Sequence, residues 1–203
     1  MNAIIRELET TLNILDGRAR GLGEDVFNVC QGVLSDERFK FWSGSSRPYQ
    51  HHYGAGGLAK HTLEVVNLCN DVTHYYSGRY DVDPVELFFA AFFHDVGKMY
   101  DYEPVDGYDI WKSAEHKRLV HHISRSAVIW TQEVSEYPEV YEKYHEKVLH
   151  AILAHHGMRS AGSPVAPKSR VAWLVHFCDG ISARMFDADT LDIVKVNRER
   201  DSK

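Results

Sequence analysis

Cysteine is scarce. The chain has three among 203 residues, Cys30, Cys69 and Cys178, an odd number with no CxxC pair. That excludes a paired disulfide framework and leaves them as buried apolar residues of a reducing compartment. Positive charge is short as well: 23 Lys and Arg stand against 29 Asp and Glu, a formal net charge of −6. No general basic coat for nucleic acid exists, so any such contact must be local. Long apolar runs are missing. The longest, Leu87 to Phe93, is far too short to span a bilayer, and Arg6, Glu7 and Glu9 interrupt the N-terminal apolar positions where a signal peptide would lie. The expectation is a soluble, cytoplasmic protein with no membrane partner. Strand-like alternation is nearly absent, and neither internal repeats nor low-complexity segments occur.

Helical spacing fills the space that these absences leave. Ile4, Ile5, Leu8, Leu12 and Leu15 predict a helix over 3–15, and Val26 to Leu34 a second over 24–34, both packing elements without chemistry. Residues 43–57, with Pro48 and Gly54-Ala55-Gly56-Gly57, read as a loop whose glycines allow close backbone approach. A long helix follows from Leu58 to about Ser77. Asp83-Pro84-Val85-Glu86 is a helix start with a capping residue and Pro in the first turn, predicting Pro84 to about Val96. Alternating aromatics around Asp106-Gly107 predict one small β-hairpin near 99–112. Helices are then expected over 113–135 and 138–156, a loop over 159–169 and a last helix over 169–186, with a polar, frayed tail from Asp187. The fold class is all-α: one domain over 1–203, with a packing segment at 1–42, a core at 43–186 and the tail at 187–203.

Histidine is abundant, 13 in all, and comes in the doublets His51-His52, His121-His122 and His155-His156. His94-Asp95 ends the most apolar run of the chain. Burying a carboxylate there is expensive unless something pairs with it, and a divalent metal accepts carboxylate oxygen and imidazole nitrogen together. A polar helix cap would be the plain explanation of His94-Asp95 alone. His61, His122, His155, His156 and Asp179 are the company that favours a metal. His51 and His52 are not expected to be ligands. His74, His116, His145, His150 and His176 have no motif around them and are expected to be solvated or core residues.

Taken together, Gly56-Gly57-Leu58-Ala59-Lys60-His61-Thr62, His94-Asp95-Val96-Gly97-Lys98, His122-Ile123, Ile152-Leu153-Ala154-His155-His156-Gly157, Gly162 to Lys168 and Asp179 to Met185 resemble, in that order, the HD-domain metal-dependent phosphohydrolases. The series is most similar to the HD domain of bacterial 3′→5′ exoribonucleases in which an OB fold precedes the HD domain, and it covers roughly residues 25–186. No OB-like run of short strands precedes it here. His121 stands where that pattern has Gly, and Ser182 where it has a second Asp; these departures bear on the polymer substrate more than on the metal site.

The resemblance implies a compact HD helical bundle. It also implies His61, His94, Asp95 and Asp179 on one ion, with Asp95 bridging to a second ion held by His122 and His155, and His156 as a further ligand or outer partner. Imidazole and carboxylate together suit Mn first, or Fe, Ni, Co or Zn, rather than Mg. A hydroxide bridging two such ions would be the nucleophile at phosphorus, so neither a Ser nor a Cys nucleophile is needed. Asp95 and Lys98 are the expected catalytic residues. Lys98, Arg159, Lys168 and Arg184 are the expected substrate contacts. The expected reaction is hydrolysis of a phosphoester at the 3′ end of a single-stranded nucleic acid, or of a small nucleotide such as a dNTP or a cyclic or signalling nucleotide. An HD-type di-iron oxygenase and a non-catalytic nucleotide-binding protein are the rivals from other classes. The oligomeric state is left open.

Overall fold

The computed structural model describes residues 2–16, 22, 24–48, 50–106, 108 and 110–201, with side chains as far as Met185. The elements run α1 (Asn2–Asp16), α2 (Asp25–Ser35), α3 (Glu37–Phe41), α4 (Gly57–Tyr75), α5 (Pro84–Phe93), α6 (Lys98–Asp101), β1 (Tyr102–Pro104), β2 (Trp111–Ser113), α7 (Glu115–Leu119), α8 (His122–Ser135), α9 (Pro138–Ala154), a 3₁₀ turn (Arg159–Ala161) and α10 (Arg170–Asp201). The all-α expectation holds. None of the described helices is long and apolar enough to cross a membrane.

The middle of the bundle is α5. Asp83 caps it, accepting from the backbone N–H of Val85 (2.9 Å) and Glu86 (3.2 Å), with Pro84 in the first turn. Such a cap contributes ~1 kcal/mol. Residues 87–93 are all buried, so beyond its first turn α5 has no solvent face, and it packs against α4, α8, α9 and α10. Phe89 lies 5.2 Å from the Trp130 ring and 5.8 Å from Tyr144, and Phe93 lies 5.0 Å from Trp130. Each buried phenylalanine contributes roughly 1.5–3 kcal/mol from apolar burial. This density of aromatic contacts makes the end of α5 a rigid mount. Cys30, Cys69 and Cys178 are free and buried, as expected.

Four elements differ locally from expectation, three of them around His94 and His122. The helix expected to reach Val96 ends at Phe93. Residues 94–97 form a tight turn in which Lys98 N–H donates to the Asp95 carbonyl (2.9 Å) and Met99 N–H to that of Val96 (3.1 Å). The segment 98–101 is then helical, so the hairpin begins at Tyr102, three residues later than the alternation placed it. It pairs antiparallel, Tyr102 with Ser113 and Pro104 with Trp111. The turn residue Gly107 lies outside the described residues. Its Trp111 is buried against Trp42 (5.4 Å), so this aromatic packs the ribbon down and is not offered to a ligand.

The helix expected over 113–135 is broken at Val120-His121. His121 has φ 69°, a left-handed backbone rare outside glycine, and α8 restarts at His122. Finally, the last helix continues past Phe186 to Asp201, because nothing in 187–201 is a Pro or Gly that would stop it.

Glycines allow two close approaches. A Cβ on Gly57 would overlap the His52 carbonyl, so the loop 43–56 folds under the start of α4. A Cβ on Gly97 would overlap the His122 carbonyl and come within 2.8 Å of Ser126 N, so the turn after α5 sits directly against the start of α8. The Gly97 N–H donates to Ser126 Oγ (2.9 Å).

Candidate metal centre

Although adjacent in sequence, His94 and Asp95 bring their side-chain tips together at the end of α5, with His94 Nε2 3.4 Å from Asp95 Oδ2. Asp95 is 1% exposed, and its two oxygens point to different partners. Oδ2 lies 3.3 Å from His61 Nε2, 3.4 Å from His94 Nε2 and 2.6 Å from Lys98 Nζ. Oδ1 lies 3.4 Å from His122 Nε2 and 3.6 Å from His155 Nε2. Asp179, from α10, brings Oδ1 to 3.2 Å from His61 Nε2. His156 brings Nε2 to 3.3 Å from His122 Nε2. Two compact groups result: His61, His94, Asp95 and Asp179, and His122, His155 and His156. Within each, the ligand atoms lie within 4.8 Å of one another.

The outward nitrogens set the chemistry of the inward ones. His94 Nδ1 donates to the Ala91 carbonyl and His155 Nδ1 to that of Ile152, both at 2.7 Å. His122 Nδ1 donates to Asp101 Oδ2 (3.0 Å), and His61 Nδ1 meets Ser182 Oγ (3.1 Å). A carbonyl or carboxylate can only accept, so those Nδ1 atoms carry the hydrogen and their Nε2 lone pairs face the centre. His61 Nε2 and His94 Nε2 are 3.2 Å apart. Lone pairs and carboxylates converging so closely repel unless a cation lies among them. Asp95 Oδ1 and His155 Nε2 are moreover buried polar atoms without a hydrogen-bond partner. The donor set is therefore one that fits a metal: oriented, largely buried and, at Asp95 Oδ1 and His155 Nε2, unsatisfied.

Charge follows the same division. Burial alone would lower the His61 pKa, but the Asp179 and Asp95 carboxylates outweigh it and raise it. In the second group burial wins, pushing His122 down to about 4 and His156 down to about 3, the latter helped by His155 and His122. Burial would raise Asp95. The charges of Lys98 and His94, with His155 and His61 close by, instead hold it well below the carboxylate range.

Lys98, Lys117, Tyr102, His121, His176 and Arg184 help to line a cleft of about 470 Å³ over both groups. Of the expected substrate contacts, Lys98 and Arg184 are there. Arg159 and Lys168 are exposed and lie outside the lining, with the Lys168 N–H turned to His150 Nε2 (3.0 Å).

Several residues here carry no signal readable in the sequence. Asp101, expected in a strand, accepts from the backbone N–H of His122 (3.2 Å) as well as from its Nδ1, and from His116 Nδ1 (2.9 Å). His116 and His176, expected to be solvated or core, support the site, His176 by donating to the His155 carbonyl (2.8 Å). Glu64 has no motif to mark it, though it lies one turn after His61 on α4.

The HD domain family's model matches residues 58–184, and the chain belongs to that family. The chain is 31% identical over 164 residues to the 3'-5' exoribonuclease YhaM of Bacillus subtilis, covering 79% of this chain and 49% of that protein. To the YhaM 3'-5' exoribonuclease of Bacillus velezensis it is 30% identical over 168 residues, covering 81% and 50%. The chain thus spans about half the length of the curated relatives it matches. No solved structure matches it.

Proposed function

We propose that this chain is a metal-dependent phosphohydrolase acting on a phosphodiester at the 3′ end of a single-stranded nucleic acid. One observation carries the reading: the two oxygens of a single buried carboxylate, Asp95, are each turned to a different set of imidazole nitrogens. His61, His94, Asp95 and Asp179 would hold one divalent ion, and Asp95, His122, His155 and His156 a second; the imidazole-rich set favours manganese or another transition metal over magnesium. Bound there, the pair supplies an activated water and neutralises charge at phosphorus.

The protein's own part is orientation and exclusion. The carbonyls of Ala91 and Ile152 and the Asp101 carboxylate hold three rings with their Nε2 lone pairs inward. The rigid end of α5 holds Asp95 away from solvent. Lys98, buried with its ammonium beside Asp95, and Arg184 and Lys117 on the cleft wall are the cations in reach of phosphate oxygens.

The relatives named 3'-5' exoribonuclease support a polymer substrate. The net charge of −6, with few cations around the cleft, favours a small nucleotide as the second reading. A panel separates them: 5′-labelled single-stranded RNA and DNA, the same oligomers with a blocked 3′ end, and dNTPs and cyclic nucleotides, each with Mn²⁺. Stepwise shortening of unblocked oligomers is expected. Inertness towards every oligomer, with turnover of a nucleotide, would replace the polymer reading by the second one.

A further inference from the structure

We infer that Glu64 is the positioning carboxylate for His61, acting through the hydroxyl of Ser182. The inference rests on the proposal that the group around His61 holds a cation. Of the four rings His61, His94, His122 and His155, the last three have Nδ1 against a carbonyl or carboxylate oxygen, which can only accept. His61 is the exception: its Nδ1 faces a hydroxyl, Ser182 Oγ, which can donate or accept. Alone, a serine would leave His61 free to take either tautomer, and the wrong one would aim an N–H at Asp95 and Asp179.

Glu64 removes that freedom. Ser182 Oγ donates its hydrogen to Glu64 Oε2 at 2.9 Å, so only lone pairs remain towards His61. His61 Nδ1 must then carry the hydrogen, and Nε2 must present its lone pair inward. The same Glu64 oxygen accepts from His52 Nε2 at 2.7 Å, which pins the carboxylate from the loop side. His52 is 2% exposed and has φ 55°, a conformation that costs a side-chain-bearing residue energy and is maintained only where its surroundings require it. Among the described residues, His52 shares a positive φ outside glycine only with His121, the neighbour of His122. The relay therefore runs from the loop 43–56 through α4 to α10. It delivers to position 182 the carboxylate character that the sequence pattern leads one to expect there as aspartate.

The test is Mn²⁺ affinity of the metal-stripped full chain, measured by competition with a chelating dye, for E64A, S182A and the double variant E64A/S182D. Losing such an outer partner weakens affinity about 10- to 100-fold. E64A and S182A are each expected to show that loss; S182A should change the thermal midpoint of the stripped protein little, whereas E64A also takes the partner of buried His52 Nε2 and should lower it. E64A/S182D, which places a carboxylate directly against His61, is expected to recover most of it. Wild-type affinity in both single variants would overturn the relay, and so would a double variant no better than E64A. If E64A fails to fold, S182A, which deletes a single oxygen, decides the matter by the same comparison. A wild-type chain that takes up no divalent ion would instead overturn the metal reading beneath the relay, a result distinct from either.

Discussion

Asp95→Asn removes one charge and keeps the shape. The Asp95 carboxylate sits 2.6 Å from Lys98 Nζ, and the two residues are 1% and 7% exposed. Breaking such a buried pair by neutralising one partner costs about 3–5 kcal/mol, because the other charge stays buried without compensation. For a chain of this size a kilocalorie moves the thermal midpoint by ~2–4 °C, so a fall of ~6–20 °C is expected. The lower end is the better figure, since the Asn carbonyl can still accept from Lys98. Adding Mn²⁺ at 100 times its Kd stabilises a single-site binder by about 2.7 kcal/mol, or ~5–11 °C on the same conversion. That gain should vanish in the variant, since Asp95 is the one residue whose oxygens serve both groups. Thermal melts of both proteins in EDTA and in Mn²⁺ provide the four midpoints. A variant that gains as much from Mn²⁺ as the wild type would refute the shared role of Asp95. A variant that melts at the wild-type temperature in EDTA would refute the Lys98 pairing. Restoration of the EDTA midpoint by Asp95→Asn with Lys98→Met would confirm that the unpaired ammonium was the cause.

The second group predicts a pH dependence. His122 has its pKa lowered to about 4 by burial, so between ~6.5 and 4 the unfolded chain binds a proton that the folded chain refuses. Stability is full above ~6.5 and declines as pH falls through that window, by about 3 kcal/mol from His122 alone. His156 acts in the same direction down to about 3. His61, with its pKa raised, has the opposite sign: its contribution is present below ~6.5 and is lost as pH rises through its folded value. The urea midpoint of the stripped protein should therefore drop between about pH 6.5 and 4.5, and an unchanged midpoint would contradict the burial of neutral His122. Gly97→Ala would force the turn after α5 away from the start of α8, where the added Cβ overlaps the His122 carbonyl. Overpacking of this kind costs about 1–3 kcal/mol, and the variant should lose Mn²⁺ affinity as well as midpoint; normal affinity would show that His122 does not depend on the turn.

The candidate ligand residues were legible because metal chemistry restricts residue types and because their motifs are local: His94 is next to Asp95, and His155 next to His156. Local signals likewise predicted the α5 cap, since Asp83 and Pro84 act within one turn. The hairpin was legible in kind but not in place, because alternation over Met99 to Tyr102 cannot reveal that Lys98 to Asp101 closes a helical turn first. Arg159 and Lys168 have the right charge but lie outside the cleft, and charge alone says nothing about direction.

What the sequence determined by itself, then, was the apolar helix at the centre, the all-α class and the identity of the side chains able to bind a cation, because each depends on periodicity or on functional groups. Tertiary structure alone decided which oxygen of Asp95 faces which imidazole, and that Asp101 and Glu64 stand behind His122 and His61. These are contacts between segments 21 to 121 residues apart, set by how close Gly97 and Gly57 let backbones approach and by which hydrogen a hydroxyl has left to give.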